Sequence, residues 1–145
     1  MYKVSTNSED KVTLAGALTG FKHKDVIKIS LDTIMSDVVR LQDVGYWVGY
    51  SFLNPFAKDL TWEWMTRNWD WLQTNLGSDL SFYRFPNYAA RGFSSSEFLK
   101  EYTAFFKAHM SLAFERSVAQ GIETIEWHSA WRKRDGESVK KFFKQ

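Results

Sequence analysis

The stretch Asp59-Leu-Thr-Trp-Glu-Trp-Met-Thr-Arg-Asn-Trp-Asp-Trp-Leu-Gln-Thr-Asn-Leu-Gly77 decides the fold. Four of the chain's seven tryptophans fall within ten of its residues, too densely for a single apolar stripe. On a helix advancing about 100° per residue, Trp62, Met65, Trp69, Leu72 and Leu76 share one face. Leu60, Trp64 and Trp71 form a second face roughly 130° away, with Glu63, Thr66, Arg67, Asp70, Gln73 and Thr74 in the polar sector between them. A surface helix needs one apolar stripe, so a helix with two must pack on both sides, as in an all-α stack. Gly77 is placed to end it as the C′ residue. The four tryptophans therefore read first as core, together with Phe105 and Trp131 further on, rather than as a ligand-stacking platform.

The flanking sequence supplies more helices. Asn7 or Ser8 caps a first helix whose opening turn holds Glu9 and Asp10, favourable near the dipole's positive end. Val12, Leu14, Ala15 and Leu18 give it a short apolar side, and Thr19-Gly20 ends it. The polar residues before it read as a linker. A second helix is predicted over about Lys24–Met35; its β-branched content also suits a strand, but its length and Lys28, Ser30 and Asp32 favour the helix. A third opens near Gln42-Asp43 and stops at Asn54-Pro55. Gly45 and Gly49, four apart on it, cost about 1 kcal/mol each against alanine, which implies close approach of a neighbour. After Gly77 the pattern predicts a short helix near Pro86 ending at Gly92. A capping box at Ser94–Glu97 then launches Phe98–Ala108. His109 marks a break, a long helix covers about Ser111–Trp131, and Asp135-Gly136 is a turn. A final short helix, Glu137–Lys144, is expected to bury Val139, Phe142 and Phe143. The sum is seven or eight helices in one domain, residues 1–145, with no repeat of fixed length.

Composition excludes several function classes. The 145 residues carry a net charge of +2, too little for a nucleic-acid footprint. The absence of cysteine removes disulfides, thiol catalysis and cysteine-ligated zinc, and suits a reducing compartment. No apolar h-region opens the sequence and no run is long enough to span a bilayer, so a cytoplasmic protein without a membrane partner is expected. His23, His109 and His128 share no metal-ligand spacing; Glu123, Glu126 and His128 come nearest, but the histidine points elsewhere. There is no phosphate loop and no G-x-S-x-G. Arg84 and Arg91, seven apart beside Tyr83 and Tyr88, are a candidate carboxylate-binding pair. Two exposed arginines is the simpler reading.

Several segments taken together resemble a known family. Asn54-Pro55, Lys58-Asp59-Leu60-Thr61-Trp62-Glu63-Trp64 and Asn68-Trp69-Asp70-Trp71-Leu72 are similar to a pattern in the C-terminal domain of zinc aminopeptidases of the aminopeptidase N type. There it runs approximately N-P-x-G-R-D-L-A-W-x-[FW], then N-W-x-x-L. Leu41-Gln42-Asp43, Phe93–Glu97, Phe105-Phe106 and Gln120–Ile125 with Trp131 resemble further family segments in the same order, so the likeness covers about Leu14 to Trp131. The family's G-R before D-L is Ala57-Lys58 here, and Tyr50–Leu53 is bulkier than the family's turn.

The resemblance implies an all-α, HEAT- or armadillo-like right-handed solenoid that caps a catalytic domain and helps enclose a peptide chamber. The partners it implies are the parent enzyme's catalytic and middle domains and a peptide substrate. Zinc sits in the family's catalytic domain, on H-E-x-x-H and a distal Glu, with G-x-M-E-N binding the substrate's amino terminus. Neither motif occurs here, so the chain alone is expected to bind no catalytic zinc and hydrolyse no peptide. It reads as the C-terminal piece of a larger enzyme, with Met1 an artificial start or an unusual gene start. Arg84, Arg91 and Lys58 are the residues expected to face the chamber. A free-standing helical module that binds a peptide in its groove is the alternative.

Overall fold

The structure, a computed structural model, describes residues 1–144 and is all-helical. Eight α-helices follow one another among the described residues: α1 (Ser8–Leu18), α2 (Lys24–Thr33), α3 (Val44–Leu53), α4 (Lys58–Arg67), α5 (Trp69–Leu76), α6 (Phe85–Arg91), α7 (Ser96–Ala108) and α8 (Leu112–Phe142). Short 3₁₀ turns at Leu41–Asp43 and Phe82–Arg84 lead into α3 and α6. Helices α1, α3, α6 and α8 pack side by side in that order. Helix α4 packs on α2 and, through aromatic contacts, on α7, which makes a second layer.

The tryptophan stretch packs on both sides, although it forms two helices rather than one. Asn68 separates them with φ −105° and ψ 20°, and its Nδ2 donates to the Trp64 carbonyl at 2.8 Å. An asparagine side chain that bonds nearby backbone in this way competes with the helical ladder. Both apolar faces survive the break. Trp62 meets Phe98, Phe105 and Phe106 of α7 at centroid distances of 4.9, 5.4 and 6.2 Å. Trp69 meets Phe82, Phe105, Phe106 and Phe114 at 5.1–5.7 Å. Trp64 is buried on the other side, toward α2, while Trp71 and Phe105 are half-buried.

Glycines let the layers close. The Cα of Gly49 lies beneath the Tyr88 ring, where an added Cβ would be 3.6 Å away, and Gly45 lies against Ser81. At Gly121 a Cβ would fall 1.8 Å from the Tyr102 hydroxyl, so α7 and α8 touch only because that residue has no side chain. The Tyr102 hydroxyl has no hydrogen-bond partner among the described residues, and burial pushes its pKa far up.

Four expectations need correction. The N-terminal segment is not a free linker: Tyr2 is only 3% exposed, its ring meets Trp47 edge-on, and its hydroxyl donates to Asp43. The cap of α7 is Ser95, whose Oγ accepts from the Phe98 amide at 3.1 Å. That moves the cap one residue past Ser94, and Glu97 pairs with Ser96 rather than closing a box. Helix α8 runs straight through Asp135-Gly136, where Gly136 faces only the Arg132 stem and no packed surface turns the chain. With nothing to fold back on, Phe142 and Phe143 stay 72% and 81% exposed, and Val139 is also exposed. Trp131, expected in the core, is 43% exposed, because the last fully buried residue of α8 is Ile125 and the helix then leaves the body.

A buried ionic cluster holds the N-terminal segment. Arg40 grips Asp43 with two bonds, 2.7 Å from Nε and 2.9 Å from a terminal nitrogen. Lys11 is buried, donates to the Tyr2 carbonyl and lies 4.5 Å from the centre of the Tyr2 ring. Burial works to raise the Asp43 pKa, but the bonds from Arg40 and Tyr2 and the nearby Lys11 charge hold it below the ordinary 3.8. A carboxyl with a depressed folded pKa stabilises above its unfolded pKa and loses that contribution as pH falls through the folded value. Asp43→Asn is therefore expected to lose about 2–3 kcal/mol at pH 7, with the deficit shrinking as pH drops below about 4. Urea titrations across that range check it. Gly121→Ala should lose about 3 kcal/mol by overpacking, whereas Tyr102→Phe, which removes no protein hydrogen bond, should leave the melting temperature unchanged or raised.

Candidate cleft between α3 and α6

Helix α3 buries Val44, Trp47, Val48 and Phe52, which turns Tyr46, Tyr50 and Leu53 outward. Helix α6 buries Phe85, Pro86, Ala89 and Ala90 and turns Tyr88 and Arg91 outward. Between these faces lies a cleft of about 210 Å³, floored by Gly45 and Gly49 and walled by Tyr46, Tyr50, Tyr88, Leu53 and Arg91. Tyr46 and Tyr50, one turn apart, stack with centroids 6.3 Å apart. The Tyr50 ring also rests on Gly16 of α1. Arg91 is exposed and makes no ion pair or side-chain hydrogen bond among the described residues, so its guanidinium is available to an incoming anion.

The three expected cationic residues are not brought together equally. Arg91 lines the cleft; Arg84 is exposed at the end of the 3₁₀ turn and does not line it. Lys58 is committed to structure: its Nζ donates to the Gly92 carbonyl at 2.7 Å, 4.6 Å from the centre of the Phe93 ring. A lysine at the start of α4 thereby closes the C-terminal end of α6. Of the tyrosine wall, Tyr88 was named from the sequence beside Arg91, but Tyr46 and Tyr50 were not. The signal was present in the spacing of Gly45-Tyr46 and Gly49-Tyr50, which sets two rings on one face between two small residues.

The remaining polar residues hold the chain together. Asn54 Nδ2 donates to the Thr19 and Phe21 carbonyls at 2.8 and 2.7 Å, and its Oδ1 accepts from the Phe56 amide, which ties the α1 end to the α3–α4 turn. His109 Nδ1 lies 2.8 Å from the Phe105 carbonyl, and His128 Nδ1 lies 3.2 Å from that of Phe93. Among the described residues no three His, Cys, Asp or Glu side chains come together as metal ligands, so these residues do not fit a zinc centre. Among the described residues no helix is long and apolar enough to cross a membrane.

The sequence profile of the ERAP1-like C-terminal domain matches residues 1–126. The chain belongs to that family. Aminopeptidase N of Lactococcus lactis subsp. lactis is 33% identical over 126 residues, 86% of this chain and 15% of that protein. Aminopeptidase M1 of Arabidopsis thaliana is 27% identical over 141 residues, 97% of this chain and again 15% of that protein. This ERAP1-like chain therefore spans about 15% of the length of the relatives it matches. Within the domain, Asn54 and Trp62, on which the resemblance rested, make structural contacts, and so does Lys58, where the chain departs from the family's G-R.

Two variants separate the roles of the cations. Lys58→Ala should lower stability by about 1–2 kcal/mol by removing a charge-assisted bond to a carbonyl. Arg91→Ala should stay within about 0.5 kcal/mol of wild type, as expected for an exposed side chain without a partner. Thermal unfolding of both variants checks this.

Proposed function

We propose that the chain is the C-terminal part of a zinc aminopeptidase that removes N-terminal residues from peptides. In this reading it packs on the catalytic and middle domains, helps enclose the peptide chamber, and works in the cytoplasm. The carrying observation is an apolar groove of about 780 Å³ along the first two helices, walled by Leu14, Ala17, Leu18, Phe21, Val26 and Ile29. An exposed apolar surface of this extent marks a contact site, and a free-standing stack would end instead in a polar capping helix. Its position at the first helices suits a stack that continues into preceding chain. Two side-by-side layers of alternate helices support the HEAT- or armadillo-like solenoid.

On this reading zinc and the catalytic groups belong to the parent's catalytic domain. Arg91, framed by tyrosines, is the group offered to a peptide carboxylate or acidic side chain. Arg84 is a second exposed cation on the same segment, and Lys58 supports the wall through Gly92. The reading is tested in the native gene and at the bench. The frame upstream of Met1 is expected to encode G-x-M-E-N, then H-E-x-x-H and a further Glu. The purified chain should release no p-nitroaniline from leucyl-p-nitroanilide above background. Chelator-sensitive hydrolysis by the chain alone would overturn the proposal. An in-frame stop and ribosome-binding site directly before Met1 would favour the free-standing peptide-binding module.

A further inference from the structure

A second cleft, of about 180 Å³, opens between α2 and α4 on Leu31, Leu60 and Trp64. Four charged side chains line it: Lys28 and Asp32 on α2, Glu63 and Arg67 on α4. Each pair is one turn apart, and the order of signs is opposite on the two helices. Opposite charges this close in sequence and space ordinarily pair, yet none of the four makes an ion pair within 4.0 Å or a side-chain hydrogen bond among the described residues. Trp64, in the same wall, is 3% exposed, and its Nε1–H, sealed from solvent, has no acceptor among the described residues.

Two cations, two carboxylates and an apolar floor, set around one small space, are complementary to a ligand that carries both charges itself. The volume is below the roughly 300–1,000 Å³ of drug-sized sites, which limits the ligand to a small molecule. We propose that this cleft binds a free α-amino acid with an apolar side chain. Asp32 and Glu63 face its ammonium group, Lys28 and Arg67 its carboxylate, and Leu31 and Leu60 its side chain. The inference rests on the cleft's own charges and stands whether or not the parent is an aminopeptidase. If it is, the ligand class is that of its product.

The test is an NMR titration of the full chain with leucine, followed at the α2 and α4 amides and by tryptophan fluorescence. Saturable shifts with a dissociation constant on the order of millimolar are expected, as suits solvent-exposed ion pairs. N-acetyl-leucine, without the ammonium group, and leucinamide, without the carboxylate, should each bind at least about fivefold more weakly. Glu63→Gln with Arg67→Gln should abolish the shifts; both positions are exposed, so the circular dichroism spectrum should not change. The proposal is overturned if leucine causes no saturable shift, if either blocked analogue binds as leucine does, or if the double variant still binds.

Discussion

The structure depends on the contact between the two tryptophans Trp62 and Trp69 and the aromatic face of α7. Each indole meets Phe105 and Phe106, and Trp69 carries the contact on to Phe82 and Phe114. The edge-to-face pairs among them, Trp62–Phe105, Trp69–Phe105 and Trp69–Phe106, add about 0.5–1.5 kcal/mol each beyond their buried area. More important is their reach: one cluster joins α4, α5, α7, the 3₁₀ turn before α6, and α8. Small side chains at Trp62 and Trp69 would leave the second layer without a centre. The break at Asn68 serves the same contact, because it lets Trp62 and Trp69 approach α7 from two short helices instead of one straight rod.

A second constraint is set by glycine facing tyrosine. Gly16 seats Tyr50, Gly49 seats Tyr88, and Gly121 seats Tyr102, so three helix contacts use one device. Glycine within a helix is unfavourable by about 1 kcal/mol, and the offset is the close approach that a bare Cα allows. The first two seats also border the α3–α6 cleft, since Tyr50, Gly49 and Tyr88 line it together with Arg91.

Polar residues divide by task. Asn54, Lys58, His109 and His128 spend their bonds on backbone carbonyls, and the Tyr2–Asp43–Arg40 cluster anchors the N-terminal segment. Arg91 and the four charges of the α2–α4 cleft do not. The buried polar residues thus serve the fold, and the charges without partners lie at the clefts.

Helix number, the all-α class and the two-sided role of the tryptophan stretch were legible in the sequence. Periodicity records which faces are apolar, and caps such as Asn7 and stops such as Asn54-Pro55 are local chemistry. Motif order was enough for the family, and two of the motif residues, Asn54 and Trp62, are held in packing contacts here. What tertiary structure decided were the matters local chemistry leaves balanced. Asp135-Gly136 has turn composition but no surface to turn back onto, so α8 continues and Trp131 is left half outside. Tyr2 sits in a polar segment yet is buried, because its partners Asp43 and Trp47 are some forty residues away. Arg91, Arg84 and Lys58 are alike as cations in a sequence. Only the placement of the Gly92 carbonyl beside one and a tyrosine-walled cleft beside another separates a structural lysine from an arginine open to a ligand.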